Sequence, residues 1–155
     1  PGWTDAERDS LNTVGVNVIR HLPDGVTLYG FRTLAKPDSD ASGWMTLNNQ
    51  RLRLAITAEA EAIAEAFLFD QLDGKGQKIA EYRGALMGVL LRYYTAGSLF
   101  GETPEEAFFV DVGPGVNTPT SIANGELQAV LSVRMSPMAE LAVIEIVKTS
   151  VSPAL

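Results

Sequence analysis

The chain has 155 residues, 46% of them hydrophobic and 20% charged, with a formal net charge of −7. A domain of this length can bury a hydrophobic core without disulfides or a structural metal. The absence of Cys excludes thiol chemistry and iron–sulfur clusters, and the single histidine, His21, excludes a multi-histidine metal site. The acidic balance argues against nonspecific nucleic-acid binding, and no apolar run is long enough to cross a membrane. We therefore expect no cofactor, no metal, no nucleic-acid partner and no membrane insertion.

Two general properties of the chain are unusual. The mean hydropathy is slightly positive, at +0.07, although the chain is acidic. The sequence also begins at Pro1 rather than at Met. The second property suggests a piece of a longer protein or a processed product.

The first third of the chain predicts a short helix followed by a β-hairpin. Thr4 and Glu7 have the spacing of a capping box, in which each side chain accepts from the backbone N–H of the other residue. β-Branched residues are frequent in residues 14–20, a Pro-containing turn follows, and residues 26–34 predict a second strand. Residues 35–43 lack periodicity and are predicted as a loop.

Two long helices are predicted in the middle of the chain, and they should pack against each other. The first begins near Asn48, and Gly97 is placed to end the second in a left-handed conformation. Gly84 and Gly88 fall inside the second helix, where their four-residue spacing predicts close helix packing. The apolar positions that define the two faces are Leu52, Ile56, Ala60, Ile63 and Phe67 in the first helix and Ile79, Tyr82, Leu86, Val89, Leu90 and Tyr93 in the second.

Short strands and turns are predicted after the second long helix. Pro104 should open a single helical turn before a strand at residues 107–112. A loop should follow at residues 113–119. The Asn124-Gly125 turn signal then precedes a strand at residues 126–135.

The C-terminal residues are predicted to complete a hairpin and then to extend away from the domain as an arm. Residues 139–148 should form a strand similar in length to the one before it, and residues 149–155 should form an arm. The whole pattern predicts an α+β fold. We expect a small mixed or antiparallel sheet covered by two long helices, with an extended C-terminal arm.

No arrangement of residues in the sequence identifies a catalytic site. The serines are not in the G-x-S-x-G context of a nucleophile elbow, and His21 falls at the junction between a strand and a turn. No glycine-rich segment is followed by the Lys-Ser/Thr pair of a phosphate-binding loop. The glutamates at residues 59–65 and 102–106 are typical of solvated helix faces. We therefore do not expect an enzyme.

Two features favour a partner surface, although each also has an ordinary structural explanation. Arg51 and Arg53 lie in the first turn of the first long helix and several glutamates lie toward its end, the reverse of the order that the helix dipole favours. Either the helix tolerates this unfavourable order of charges, or the charges of a partner molecule compensate for it. The predicted C-terminal strands are apolar on both faces, which suits a sheet covered on both sides by helices or by another chain. An uncovered edge of such a sheet would pair with a further strand.

The order of several motifs resembles the C-terminal region of contractile tail sheath proteins from bacteriophages and related injection machines. The likeness is seen first at residues 97–110, which read GSLFGETPEEAFFV. The other motifs follow the order of that family and lie at residues 11–20, 30–34, 49–52, 124–127 and 139–141. The likeness extends from about residue 5 to residue 148, nearly the whole chain.

The resemblance implies a structural role in a helical sleeve around an inner tube. In that family the C-terminal region forms the inner layer, contacts the tube, and is linked to neighbouring subunits by arms that add strands to a neighbour's sheet. Residues 1–148 would then be the C-terminal domain of a longer sheath subunit, and residues 149–155 its arm. The expected partners are further copies of the subunit and the inner tail tube protein. The expected location is a virion tail sheath, or the cytoplasm of a bacterium that produces an injection system.

The resemblance and the two features above together select candidate contact residues, and part of the apolar surface would be reserved for neighbours. The expected subunit-interface residues are Ile144, Ile146, Val147, Val151 and Leu155. The expected tube or subunit contacts are Arg51, Arg53, Glu102, Glu105 and Glu106.

Two other classes of function stay open at this point. In a small-molecule-binding or regulatory α+β domain, two helices would cover a sheet and an apolar pocket would lie between them. Such a domain should also have a closed core around a deep polar pocket. A sheath fragment would have an extended tail with no intramolecular partner and no such pocket. An enzyme ranks third, because no nucleophile, base and orienting group come together in the sequence.

Overall fold

A computed structural model describes residues 3–35 and 44–137, and the structural statements below refer to these residues. These residues form five helices and four short strands. The elements, in chain order, are α1 (Asp5–Thr13), β1 (Val18–Leu22), β2 (Gly25–Tyr29), α2 (Leu47–Ala66), α3 (Gln77–Thr95), α4 (Pro104–Ala107), β3 (Phe108–Asp111), α5 (Pro119–Ala123) and β4 (Val130–Val133). The strands pair as two antiparallel two-stranded sheets, β1 with β2 and β3 with β4. The α+β class is confirmed, with two small sheets among the described residues where the sequence predicted one.

Helix α1 begins with the predicted capping box. The Thr4 hydroxyl accepts from the Glu7 N–H at 3.3 Å, and the Glu7 carboxylate accepts from the Thr4 N–H at 2.9 Å. These bonds satisfy donors that the first turn of a helix leaves without intrahelical partners. The backbone N–H and the hydroxyl of Thr4 also lower the pKa of Glu7, because both stabilise its charged form.

Strands β1 and β2 form the predicted hairpin but are shorter than the apolar pattern indicates. Their register leaves a two-residue turn, Pro23 and Asp24. Strand β2 ends at Tyr29 because Gly30 follows with a φ of +132°, a conformation that other residues avoid. Among the side chains of the two strands, only Val18 is buried. The hairpin therefore lies largely on the surface.

A short joint connects the hairpin to the helices. The Asn17 amide donates to the Arg32 carbonyl and its oxygen accepts from the Arg32 N–H, each at 2.8 Å. Residues 31–33 then pair with residues 45–47 through backbone hydrogen bonds of 2.7 Å. The segment after β2 is thus held between the start of β1 and the start of α2.

The hydrophobic core lies between α2, α3 and the β3–β4 sheet, as the predicted packing of two long helices requires. Leu86 and Leu90 on α3 have a relative exposure of 0%. Phe67, at the end of α2, packs edge to face on Tyr82 with ring centroids 5.2 Å apart. The buried core residues are Ile56, Tyr82, Leu86, Leu90, Leu99, Ala107, Phe108 and Val110.

Of the two predictions made for glycines in and after α3, the one for the glycine after the helix is confirmed and the one for the two glycines inside it is not. Gly97 has a φ of +76° directly after the helix, as expected for a helix terminator. At Gly84 and Gly88, a Cβ would meet no described atom within 4 Å, and both residues are exposed. The prediction of close helix packing at these two glycines is therefore wrong.

The segment after α3 contains one helix that was not predicted. Helix α4 and strand β3 follow Pro104 as expected, but α5 was missed. The Thr118 hydroxyl accepts from the Ser121 N–H at 3.1 Å, and Pro119 occupies the first turn. This N-cap and proline pair is a recognised start signal for a helix.

Asn117 fixes the loop after β3 to the segment that leads into β4. Its side chain is nearly inaccessible, with the residue 3% exposed. The amide donates to the carbonyls of Val112 at 2.9 Å and Gln128 at 2.8 Å, and the amide oxygen accepts from the Gln128 N–H at 2.8 Å. A hydrophobic side chain here would leave these backbone groups without partners.

Several predictions lie outside the described residues. They are most of the loop at residues 35–43, the second C-terminal strand at residues 139–148, the arm at residues 149–155, and the domain boundary after residue 148. All of them stay predictions.

Candidate functional site

A wide apolar groove lies between α2 and β4 and has a volume of about 400 Å³. We call it the α2–β4 groove. Its floor comes from the segment around β4, where Leu131 and Val133 are half-buried while Val130 and Ser132 are exposed. This alternation directs one face of the strand toward α2. The principal lining residues are Trp44, Ile56, Ala60, Ala64, Ala129, Leu131, Val133 and Met135.

Strand β4 has a described partner along one of its two edges. Ser132 pairs with β3, and the Arg134 N–H donates at 2.8 Å to the carbonyl that precedes β3. Because successive residues of a strand point their backbone groups to opposite edges, those of Leu131 and Val133 face the other edge. No strand within residues 3–35 or 44–137 pairs along that edge. The edge borders the α2–β4 groove, because the side chains of the same two residues line it.

Polar side chains stand at the rim of the α2–β4 groove. The Arg53 guanidinium lies over the Trp44 ring, 5.3 Å from its centroid. Thr57 and Glu61 are exposed on the α2 side of the opening. The volume and apolar lining of the groove also fit the apolar pocket expected of a small-molecule-binding domain, whereas its open shape does not fit a closed core.

The two arginines predicted as tube or subunit contacts have different surroundings. Arg53 is held at the groove rim by Trp44, and its Nε donates to the Gln50 side chain at 3.3 Å. Arg51 is exposed and has no hydrogen bond or ion pair with the described part of the chain. Both side chains are exposed, so the role of each in binding a partner stays a prediction.

The three glutamates predicted as contacts surround α4. The Glu106 carboxylate accepts from the Glu102 N–H at 3.0 Å, so it stabilises the turn before the helix. The carboxylates of Glu102 and Glu105 are exposed and make no hydrogen bond to any residue that the structure describes. No described ion pair joins these glutamates to Arg51 or Arg53, so the structure does not bring the two charged sets together.

The five residues predicted at the subunit interface lie outside the described residues. They are Ile144, Ile146, Val147, Val151 and Leu155. Their role stays a prediction.

One of the glutamates in the second half of α2 has charged and polar partners within the chain. Glu59 forms an ion pair with Arg92 of α3, and it accepts from the Tyr93 hydroxyl at 2.7 Å. The hydrogen bond to Glu59 raises the pKa of Tyr93, because a carboxylate stabilises the neutral hydroxyl and opposes its ionisation. This cluster links the exposed sides of the two long helices.

Within residues 3–35 and 44–137, no three His, Asp or Glu side chains are grouped so that they could hold a metal ion. His21 lies exposed on β1, opposite Val26 of β2. None of the described helices combines the length and the hydropathy that crossing a bilayer requires.

Solved structures of contractile injection systems contain chains with this architecture. A chain from a sheath complex of an extracellular contractile injection system, PVC, in its contracted state matches 96% of this chain with a TM-score of 0.80 and 25% identity. The chain has a contractile-sheath fold. A chain from the baseplate of the anti-feeding prophage matches 97% with a TM-score of 0.82 and 27% identity. Another, from that baseplate in its contracted state, matches 89% with a TM-score of 0.74 and 24% identity.

The sheath fold seen here is a part of those longer chains. This chain spans 41% of the length of the first two and 36% of the third. The sequence itself matches no protein-family model, and it has no significant match among curated proteins.

Sequence reasoning did not identify the α2–β4 groove. The alternation of apolar residues in residues 127–133 was visible, and it indicated one face of a strand. Trp44 and the small residues of α2 gave no comparable signal. Their place in the groove depends on how α2 packs over a strand that lies much later in the chain.

Proposed function

We propose that this chain is the part of a contractile sheath subunit that links neighbouring subunits into a helical sleeve and contacts an inner tube. The observation that carries the proposal is the fold that the chain shares with a chain of the PVC sheath complex. The edge of β4 that borders the α2–β4 groove is the proposed place of the link between subunits. No catalytic activity is part of this proposal.

The edge and the groove together suit the addition of a strand, whether the predicted strand at residues 139–148 of the same chain, which lies outside the described residues, or a strand of a neighbouring subunit. A strand that pairs beside Leu131 and Val133 would form main-chain hydrogen bonds along the edge, and its alternate side chains would enter the groove. The floor of the groove is apolar, so each buried side chain would contribute about 25 cal/mol per Å² of apolar area removed from water. Main-chain bonds supply affinity, and the side chains in the groove select the sequence of the strand.

The strand would come from residues 145–155 of a neighbouring subunit. In this arrangement the interface side chains on the strand are Ile146, Val147, Val151 and Leu155, and Ile144 directly precedes it. A head-to-tail contact whose rotation does not close on itself builds a helical filament, which is the assembly proposed here. Contraction would repack nearly rigid domains while the arms keep neighbours connected. The sleeve would belong to a virion tail or to an injection system assembled in a bacterium's cytoplasm.

Deletion of residues 147–155 from the full-length subunit tests the arm. We expect a soluble, folded subunit with an unchanged far-ultraviolet circular dichroism spectrum that no longer forms striated sleeves in electron micrographs. A peptide of residues 139–155, added in excess to the intact subunit, should slow sleeve formation. Normal sleeves from the truncated subunit would refute the proposal that the arm links neighbouring subunits.

A pair of substitutions on α2 tests the groove. Ala60→Glu places a carboxylate in the α2–β4 groove, whereas Ala62→Glu places the same group on the exposed side of the same helix. We expect Ala60→Glu to prevent sleeve formation and Ala62→Glu to permit it. If Ala60→Glu lowers the helical signal, Thr57→Glu at the exposed rim replaces it. Equal sleeve formation by the groove and control variants would contradict the proposal.

Contact with the inner tube would involve the exposed charges. Arg51→Glu and Glu105→Lys reverse charges that have no described partner. Either change should weaken co-sedimentation with assembled tubes and alter its dependence on salt, because exposed ion pairs are screened. Glu106→Lys is not suitable, because Glu106 stabilises the turn before α4. An unchanged salt profile would eliminate the site concerned.

A further inference from the structure

The free edge of β4 is a liability for a subunit that has no neighbour. The backbone groups of Leu131 and Val133 face that edge, and their side chains line the α2–β4 groove. On the other face of the strand, Val130 is 52% exposed. An open strand edge with apolar side chains pairs with other chains and promotes aggregation. Covering this edge would therefore protect a subunit that waits for assembly.

The described part of the chain ends directly beside this edge. The Ser136 N–H donates to the Ser98 carbonyl at 3.1 Å, and the Ser136 hydroxyl donates to the Gly97 carbonyl at 2.9 Å. These bonds keep the chain in line with β4 as far as Ser136, and Pro137 is the last residue described. The chain segment nearest to the free edge is therefore the one that follows Pro137 in the same subunit.

The sequence of that segment fits the groove in one register. A hairpin loop of residues 136–138 has three residues, which is a common length. Leu141 then lies opposite Val133, and Val143 lies one pair further along, so both side chains enter the α2–β4 groove. A loop longer or shorter by one residue would reverse the two faces of the strand. It would place the Glu140 carboxylate in the apolar groove, where burial of a charge is unfavourable.

The same register pairs the side chains on the other face of β4. Glu140 lies opposite Arg134, and Ile144 lies opposite Val130. The backbone groups of Val130 and Arg134 are directed toward β3, so these are non-hydrogen-bonded pairs, in which facing side chains are closest. Arg134 is exposed and has no ion pair with the described part of the chain. Opposite charges and apolar side chains that face each other across two strands stabilise a sheet.

We propose that residues 139–144 close the α2–β4 groove in the unassembled subunit, and that assembly exchanges them for the strand of a neighbour. The exchange rests on the proposed function, because one edge holds one strand and the neighbour's residues 145–155 pair there only after the subunit's own strand has left. The short loop with Pro137 is the hinge, and short hinge loops favour exchange between copies. Release of six residues also lengthens the connection to the subunit's own arm by about 20 Å.

The covalent link to β4 favours the subunit's own strand in dilute solution. A short flexible connection gives a strand an effective concentration of the order of millimolar, far above that of subunits in dilute solution. A neighbour's strand prevails only where other contacts of the sleeve hold two subunits together. Closure by residues 139–144 therefore delays polymerisation until a subunit docks on a growing sleeve.

An intramolecular disulfide tests the closed groove. Residues 1–155 contain no Cys, and any cysteine elsewhere in the full-length subunit is first replaced by serine. Val130→Cys and Ile144→Cys are combined in one full-length subunit, which is equilibrated with glutathione while dilute and unassembled. The control combines Val130→Cys with Val143→Cys, whose side chain lies on the opposite face of the strand. Mass spectrometry of the monomer should give an effective concentration at least tenfold higher for the first pair, and equal values would overturn the closure.

The linked variant also tests the exchange. The oxidised subunit should form no striated sleeves in electron micrographs, and reduction of the disulfide should restore them, which shows that the substitutions themselves permit assembly. Sleeves formed equally well by the oxidised subunit would overturn the exchange and would place the link between subunits away from the β4 edge.

The remaining outcomes separate this inference from the proposed function. If the first pair links no more than the control while the wild type forms sleeves, the closure is wrong and the proposed function stands. If the wild type forms no sleeves, the proposed function and the exchange both fail, whereas the disulfide equilibrium still decides whether residues 139–144 close the groove.

Discussion

Replacing Asn117 with alanine should remove the three side-chain hydrogen bonds that join the loop after β3 to the segment before β4. Alanine leaves the Val112 carbonyl and the backbone N–H and carbonyl of Gln128 without these partners. The side chain is buried, whereas Gln128 is exposed, so water can reach part of the vacated site.

The magnitude follows from the number of bonds. A hydrogen bond contributes about 1 kcal/mol to stability, and a buried group left unpaired costs about 1–3 kcal/mol. Since water compensates for part of the loss at Gln128, we expect Asn117→Ala to lower the free energy of unfolding by about 3 kcal/mol. For a chain of this size, that corresponds to a fall of roughly 6–12 °C in Tm.

Urea denaturation followed by circular dichroism measures the loss. Asn124→Ala is the matched control, because Asn124 is exposed and its side chain makes no hydrogen bond within the described residues; it should change stability by less than about 0.5 kcal/mol. A loss below about 1 kcal/mol for Asn117→Ala, with an unchanged denaturant slope, would refute the reasoning.

Asn117→Asp tests the direction in which stability changes with pH. Aspartate keeps the acceptor for the Gln128 N–H but cannot donate while it is charged, and burial of the charge would raise its pKa above the unfolded value of about 3.9. The protonated form is therefore favoured in the folded state. The variant should be nearest to the wild type below about pH 4 and should lose stability as pH rises through the folded-state pKa.

Three further predictions concern the core, the contact between the long helices, and the turn before α4. Leu86→Ala should cost about 2–5 kcal/mol in urea denaturation because the side chain is fully buried, whereas Leu91→Ala, on the exposed side of α3, should cost less than about 1 kcal/mol; similar losses would contradict the assigned core. Glu59→Gln should lower the pKa of Tyr93 in an ultraviolet titration, since the hydrogen bond to Glu59 raises it; the stabilisation from this bond is present below the unfolded tyrosine pKa and is lost as pH rises through the folded one. Gly101→Ala should reduce Tm, because a Cβ at this position would lie 2.9 Å from the backbone nitrogen of Ala107; an unchanged Tm would mean that the turn can shift without loss.

Elements that depend on neighbouring residues could be predicted from the sequence. The capping box of Thr4 and Glu7 acts within one helical turn, and Gly97 adopts its left-handed conformation directly after α3. The long helices were predictable because apolar residues recur at helical spacing over many turns. Helix α5 was missed although Thr118 and Pro119 carry a start signal, because five residues are too few to show a period.

The α2–β4 groove and the packing of the glycines could not be predicted in the same way. Gly84 and Gly88 have the same spacing whether they face another helix or solvent, and the larger side chains of Tyr82, Leu86 and Leu90 decide which side of α3 is buried. The α2–β4 groove combines residues from distant parts of the chain. Phe69, in the connection between α2 and α3, has a φ of +68°. Residue type gives no sign of this conformation, since phenylalanine is common in cores.

The joint between the hairpin and α2 has a consequence for how the molecule would yield to force. Its described bonds include those of the Asn17 amide, the bond from the Thr33 hydroxyl to the Trp44 carbonyl, and backbone hydrogen bonds between residues 31–33 and 45–47. Leu86 and Leu90, by contrast, lie at the centre of the core. Amide protons of β1 and β2 should therefore exchange with solvent through local opening, and those around Leu86 only through global unfolding. Under tension applied at α1, the hairpin should separate from the helices at a lower force than the one that unfolds the core. The hairpin would then limit the force that reaches the core.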